Sequence, residues 1–478
     1  MNKQILRLFG LTVVLFGVLI AFTSRWMVFE AESLEDRTAN RRPLLEEQKI
    51  PRGLILARDG STLAQNRKLG SGSSLRYVRE YPTDDLFAHA VGYSYIERGR
   101  SATERFYNDE LTGNRNEFNS IIDELQGKIR SGDDVRTTLD PQAQQLALRA
   151  LQGRKGAVVA LEPETGRVRV MASVPTFDPN LIPKDFNALN RDPDSPLLNR
   201  VTQGQYPPGS TMKVVTAAAA LDSGKFNPDS VLDGASPKTI GGAPLSNFGG
   251  QSFGTVTLTA ALTNSVNTVW AQVGEQLGRE TMLDYMKKFG FYEDLPLDYP
   301  PSEMFASGVF VDGDLVEADA GFDIGRVSIG QSGAEGEILV TPLQAAMVAA
   351  TVGNDGILMK PRLVERVVAK DGRVQDDGDP QKQRRVIKEE TAKQLAAMMA
   401  QVVREGSGTA AALQGVEVAG KTGTAEYPDS TENRVWFIGF APVNDPKIAV
   451  AVTIERAPGT GGEVAAPIAK QVIEALIE

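Results

Sequence analysis

The chain has 478 residues, of which 41% are hydrophobic and 23% charged, a globular balance in a chain too long for one core, so two or three domains are expected. A net charge of −10 argues against nucleic acid as a partner, because phosphate binding needs a basic surface. The absence of cysteine removes disulfides, thiol catalysis and thiolate metal sites, and the single histidine, His89, leaves a Ser-His-Asp arrangement only if that residue is its base. His89 is read instead as a packed or surface residue.

The first informative segment is "LFGLTVVLFGVLIAF", residues 8–22, apolar apart from Thr12 and two glycines. Alone it is short of the roughly 20 residues that a span needs. Arg7 can snorkel outward and Trp26 suits an interface, which extends the expected span to residues 5–28. Lys3 and Arg7 precede it, and Glu30, Glu32, Glu35 and Asp36 follow. The positive-inside rule then keeps residues 1–4 in the cytoplasm and places the rest outside the cell membrane. A cleaved signal peptide has similar flanks, but no convincing Ala-x-Ala site follows, so an uncleaved single-pass anchor is the expectation.

Residues 29–150 read as a charged stalk and a small module. Within it, "PRGLILARDGSTLAQ" alternates and turns at Asp59-Gly60, a hairpin signal. "PQAQQLALRALQG", residues 141–153, predicts a helix with Pro at its start and Gly at its end. Residues 151–478 read as one larger domain. It opens with a hairpin over 156–174, continues through helices and Pro/Gly loops, and includes an apolar helix over 341–356. It returns to strands at 416–427, 434–443 and 447–455, with a turn at Asn444-Asp445-Pro446, and closes on a helix over 463–477. Strands at both ends of a domain with helices between them predict an α+β fold, one sheet being built from distant parts of the chain.

Three stretches carry chemistry. In "YPPGSTMKVVTAAAALDSGK", Pro207, Pro208 and Gly209 place a helix start at or just after Ser210. Ser210 and Lys213, three residues apart, share a helix face. The apolar run behind them predicts a buried helix, in which desolvation disfavours the charged form of Lys213 and lets it accept a serine proton. The helix N-terminus adds positive potential where an oxyanion would form. Ser-x-x-Lys is common, however, and taken alone Ser210 reads more readily as a helix cap beside a surface lysine than as a nucleophile. In "TNSVNTVW", Ser265 and Asn267 set a hydroxyl and an amide two residues apart, able to relay a proton and bind an amide, or simply to form a turn. In "GKTGTAE", glycines 420 and 423 mark close approach to a strand, and Lys421, Thr422 and Thr424 offer a cation and two hydroxyls to an anion. The bland reading there is an edge strand protected by lysine.

The order of the three carries the weight. Ser-x-x-Lys, Ser-x-Asn and Lys-Thr-Gly, on helix, loop and strand, resemble the signature set of penicillin-binding proteins and serine β-lactamases. "ALEPETGRVRVMASVPTFDPN", "PLLNRVTQGQYPPGSTMKV", "LVTPLQAAM" and "RVWFIGFAP" extend the likeness to class B penicillin-binding proteins, and "RRPLLEEQKIPRGLI" to the actinobacterial penicillin-binding protein A group. The resemblance covers residues 50–478 almost throughout. It implies an antiparallel sheet flanked by helices and a peptidoglycan D,D-transpeptidase working through an acyl-serine. In that reading Ser210 is the nucleophile, Lys213 its base, and Ser265 returns the proton to leaving D-Ala. Asn267 holds the peptide backbone, and Lys421, Thr422, Gly423 and Thr424 form the substrate strand. The backbone N–H groups of Ser210 and Thr424 form the oxyanion hole.

The same resemblance implies stem peptides ending in D-Ala-D-Ala as substrate, β-lactams as inhibitors, no cofactor or metal, and a membrane glycosyltransferase as partner. An acyl-serine hydrolase on the same fold, a D,D-carboxypeptidase or β-lactamase, is the alternative, separated by whether the acyl group passes to water. A penicillin-sensing receptor would need a larger cytoplasmic part. A second, glycosyltransferase domain would need more than the residues between anchor and larger domain. "DGDLVEADAGFD", residues 312–323, gathers carboxylates, but its spacing departs from a Ca²⁺ loop and it reads as a solvated loop.

Overall fold

The computed structural model describes residues 3–24, 48–114, 131–316, 321–333, 336–427 and 430–477. The first element is helix α1 (Lys3–Ser24), along which Leu8, Phe9, Leu15, Phe16 and Phe22 are exposed. Among the described residues no helix is both long and apolar enough to cross a membrane, and residues 25–28 of the expected span lie outside them. Of the strands that follow in the small module, four enter one sheet: β1 (Ile55–Leu56), β2 (Thr62–Leu69), β3 (Arg76–Glu80) and β4 (Asp134–Thr137). The β1–β2 turn forms because Gly60 takes φ 87° and Asp59 Oδ1 accepts from the Ser61 N–H at 2.9 Å.

Helix α2 (Pro141–Leu151) starts on an Asp140 cap that accepts from the Gln142 and Ala143 amides. It ends where Gln152 turns left-handed at φ 53°. The hairpin β5 (Gly156–Leu161) and β6 (Val168–Val174) comes next. Helices α3 (Lys213–Asp222), α4 (Leu258–Thr263), α5 (Asn267–Leu277) and α6 (Pro342–Gly353) occupy the middle of the chain. Then come β7 (Val364–Val368), β8 (Val374–Asp376), α7 (Glu389–Glu405), β9 (Ala419–Glu426), β10 (Glu432–Ala441), β11 (Ile448–Pro458) and α8 (Gly461–Ile477).

Two sheets organise the molecule. The five-stranded sheet runs β9-β10-β11-β5-β6, so strands from the two ends of the larger region meet, as the sequence pattern predicts. All its pairings are antiparallel. Alternation along each strand divides two cores. Val158, Ala160, Val435 and Phe437 face α2 and α8, whereas Val159, Leu161, Trp436 and Ile438 face α3 and α6. Helix α3 is buried at every residue from Lys213 to Leu221, so it is the central helix of that second core.

The six-stranded sheet runs β8-β7-β4-β1-β2-β3 and crosses the expected division near residue 150 in both directions. Its parallel β1–β4 pair would leave β4 with an open edge, and β7 from far along the chain covers it. In return α2 buries Ala143, Ala147 and Leu151, one stripe at four-residue spacing, against the five-stranded sheet. Asp298 fastens the crossing. Its carboxylate accepts from the amides of Leu363 (2.6 Å) and Val364 (2.9 Å) and from Tyr107 Oη (2.8 Å).

Inside the first module Glu104 is fully buried between two guanidiniums. Arg52 Nη2 donates to Glu104 Oε2 at 2.9 Å, and Arg79, paired to Oε1, also holds the Gly53 carbonyl at 2.7 Å. Burial alone would raise the Glu104 pKa, but the charges of Arg79 and Arg52 outweigh it and the net shift is downward. The network's stabilisation is therefore complete above the ordinary glutamate value of 4.5 and is lost as pH falls through the lowered folded value. Glu104→Ala leaves buried guanidinium charge uncompensated and is expected to cost about 3–5 kcal/mol, read as a lower urea midpoint at neutral pH.

Candidate active site

The start of α3 is held from several sides. Residues Gly209–Met212 form one 3-10 turn before α3, and Ser210 makes no capping bond, so the cap reading of this serine falls away. Gly209 has φ 53°, and a Cβ there would meet the Thr424 backbone N at 3.1 Å. Across the same contact, a Cβ on Gly423 would lie 2.6 Å from the Pro208 carbonyl. Two glycines thus let the turn press against strand β9. Upstream, the indole of buried Trp436 donates to the Pro207 carbonyl at 3.0 Å. Tyr206 Oη donates to Glu455 Oε1 at 2.7 Å, and Arg200 Nε holds the same oxygen at 2.7 Å.

Lys213 is 0% exposed. Its Nζ lies 2.9 Å from Ser210 Oγ, 2.8 Å from the Ser265 carbonyl, 3.2 Å from Ser265 Oγ and 2.7 Å from Asn267 Oδ1. All four partners are neutral. Burial, and then the charge of Lys421, hold the Lys213 pKa well below the usual lysine range. Lys421 is also 0% exposed, and burial pushes its amine down to about 7. Its Nζ donates to Ser265 Oγ at 2.9 Å and to the Thr422 carbonyl at 3.1 Å. Lys213 thus feels both burial and a neighbouring positive charge, and both favour its neutral form.

Ser265 sits between the two amines because the chain bends sharply there. It links α4 to α5 at φ 56°, a left-handed conformation that serine adopts only under constraint. Asn267, the first residue of α5, accepts from Lys213 and donates through Nδ2 to the Ser246 carbonyl at 3.1 Å. On β9, Thr422 Oγ1 lies 2.6 Å from Ser407 Oγ, and Thr424 Oγ1 accepts from the Gly461 amide at 3.2 Å. Ser210, Ser265, Asn267, Thr422 and Thr424 all line one cleft of about 400 Å³. Lys213 and Lys421 lie directly behind its wall. The arrangement presents a hydroxyl beside a neutral amine, with a second hydroxyl shared between two amines. It can take a proton from a nucleophilic oxygen and return it to a leaving group.

The structure adds cleft residues that the sequence pattern missed. Ser407, Thr460 and Gly462 come from just after α7 and the start of α8, and Asn247 and Phe248 from the segment before α4. Only their spatial neighbours mark them. His89 lies elsewhere, buried against Phe177 with its Nε2 2.8 Å from the Pro196 carbonyl, and burial pulls its pKa down to about 4. In the 312–323 stretch, Asp312 and Asp314 are exposed, and Asp323 caps a short helix and pairs with Arg326. Residues 317–320 of that stretch lie outside the described residues. Among the described residues no group of three or more His, Asp or Glu side chains could hold a metal ion.

Comparison with known proteins places this geometry in a family. The model of the penicillin binding protein transpeptidase domain matches residues 156–474, and that of the penicillin binding protein A dimerisation domain matches 52–135. The peptidoglycan D,D-transpeptidase PbpA of Mycolicibacterium smegmatis is 37% identical over 100% of this chain and 99% of its own. The structure of penicillin-binding protein A from M. tuberculosis as a penicillin G acyl-enzyme has a TM-score of 0.79 at 33% identity, covering 90% of this chain and 100% of that one. The D,D-transpeptidase domain of a peptidoglycan glycosyltransferase from Eggerthella lenta has a TM-score of 0.78 at 34% identity, covering 89% and 98%. A relative similar from end to end and a transpeptidase match across the larger sheet have one reading: the chain belongs to the penicillin-binding proteins, alongside penicillin-binding protein A.

Proposed function

We propose that the protein is a peptidoglycan D,D-transpeptidase, and that the contact carrying this reading is the buried amine of Lys213, 2.9 Å from Ser210 Oγ with only neutral partners. Neutral Lys213 takes the proton of Ser210 as its oxygen attacks the carbonyl of the penultimate D-Ala in a donor stem peptide. The developing oxyanion is met by the backbone N–H groups of Ser210 and Thr424, and the terminal carboxylate by Lys421, Thr422 and Thr424. Gly423 keeps the strand close to the serine turn. Ser265, in contact with both amines, passes the proton to the nitrogen of the leaving D-Ala. Asn267 steadies Lys213 and the peptide backbone. A primary amine from a neighbouring strand then attacks the acyl-serine, forms the amide cross-link and releases Ser210. A β-lactam acylates the same oxygen by ring opening. Relatives bearing the transpeptidase name, and acyl-enzyme structures with penicillin G and imipenem, support the assignment.

We propose further that residues 5–28 anchor the chain as a single span with the larger domain outside the cell. The apolar residues exposed along α1 support this. The first module serves as spacer and as docking surface for a membrane glycosyltransferase. Deleting residues 1–28 is expected to move the protein from the membrane pellet to the soluble fraction on cell fractionation. An unchanged distribution contradicts the anchor.

Labelled penicillin is expected to mark Ser210 in a peptide map of the intact protein, and Ser210→Ala to abolish the label. Label elsewhere, or label retained in the variant, overturns the nucleophile. With a peptide donor and added D-amino acid, exchange product identifies a transpeptidase, and hydrolysis alone identifies the carboxypeptidase or β-lactamase alternative. Lys213→Met is expected to slow acylation by roughly 10²–10⁴-fold, the range for loss of a general base.

Acylation needs neutral Lys213, so its rate falls as pH drops through the lowered Lys213 pKa, about tenfold per unit below it. Lys421→Met removes a charge that holds this pKa down, and is expected to move the acid limb of the pH–rate profile upward. An unmoved limb assigns it to another group.

A further inference from the structure

Strand β9 offers one charged group to the cleft that the reaction above does not use. Thr422, Thr424 and Glu426 alternate along β9 and so point to the same side, and all three line the cleft. The other side chains lining it are uncharged, and both lysines lie buried behind the wall. Glu426 is exposed, and among the described residues its carboxylate has no hydrogen-bond or ion-pair partner. The nearest guanidinium on β10, that of Arg434, which pairs across the strands with Ala425, is stacked over the rings of Tyr206 and Tyr427.

The position of Glu426 along β9 indicates what it meets. β9 is an edge strand of the five-stranded sheet, so its outer side can take an extended peptide. On the transpeptidase reading, the terminal carboxylate of the donor lies at Thr422 and Thr424, and its reacting carbonyl beside Ser210 and Thr424. The donor chain then continues past Thr424. At about 3.3 Å per residue, the donor residue preceding the acylated D-Ala comes alongside the one or two strand positions that end in Glu426. Transpeptidation joins an acyl group to an amine on a neighbouring strand of the same polymer. Every stem therefore carries such an amine, the donor included.

We propose that Glu426 is a specificity residue that reads an ammonium group on the donor residue immediately before the acylating D-Ala. This rests on the transpeptidase reading of the same cleft. The carboxylate takes no part in bond making. It binds a cation through a solvent-accessible ion pair and favours donors whose side-chain amine is still free over donors whose amine is already acylated in a cross-link.

The test uses two thioester donors, Nα-acetyl-L-lysyl-D-alanyl thioglycolate and its Nε-acetyl derivative, with the full chain in detergent micelles. The readout is the ratio of kcat/KM for acylation by the two, so the acetylated donor is the reference within each protein. Wild type is expected to favour the free amine about threefold to fivefold, the size of an exposed ion pair. Glu426→Gln is expected to bring the ratio to about one, and Glu426→Asp to restore part of it. A ratio of one in wild type, or an unchanged ratio in Glu426→Gln, overturns the proposal. So does a change confined to the partition of the acyl-enzyme between added glycinamide and water, which would place the ammonium on the acceptor. Penicillin labelling of wild-type Ser210 is measured in parallel. Its absence refutes the transpeptidase reading, whereas its presence with equal donor ratios refutes only the role of Glu426.

Discussion

The burial of the Lys213 amine among neutral partners is the constraint on which the site depends. An ammonium out of water needs a counter-charge, and none contacts this one. The protein satisfies the neutral group with a backbone carbonyl and a side-chain amide oxygen, which accept its two N–H bonds, and leaves its lone pair facing the hydroxyls, with no carboxylate to stabilise a full positive charge. Each acceptor has its own structural requirement. The Ser265 carbonyl and hydroxyl depend on a left-handed turn, and Asn267 depends on the start of α5 and the Ser246 carbonyl. The apolar composition of α3, which looks like simple core packing, keeps water from restoring the charge.

The second lysine makes the site asymmetric. Lys421 is as deeply buried, and burial alone pushes its amine down to about 7, whereas at Lys213 the charge of Lys421 adds to burial and favours the neutral form further. One cation behind the cleft attracts an anionic substrate, while the adjacent amine stays free to accept a proton. Ser265, within 3.2 Å of both, is the only described side chain bonded to the two amines together.

Much of this was legible in the sequence, for local reasons. The hairpin at 156–174, the strands at the C-terminal end and the apolar helices follow from period and turn chemistry, which neighbouring residues settle. The three motifs could be found, but Ser210 could not be told from a helix cap by its own neighbours; that distinction depends on residues 265, 267 and 421. Ser407, Thr460 and Glu455 were not legible, because single polar residues at loop ends and strand ends carry no pattern until the fold brings them to the cleft or to Tyr206. The placement of β7 and β8 was hidden for the same reason: an alternating strand shows which face is buried, and not which sheet it joins.

That placement bears on how the protein is made. The inner edge of β4 is closed by a strand about 230 residues further along the chain. At roughly 5–20 residues per second of synthesis, this is a delay on the order of ten seconds or more during which the first sheet exists with an open edge. The early module is thus incomplete while its own sequence is already present, and an unpaired strand edge is a template for wrong partners. A nascent chain cut off before residue 364 would carry all of β1 to β4 and still be unable to finish the sheet they begin. The finished first module is therefore a report that the chain has been synthesised well past the serine turn.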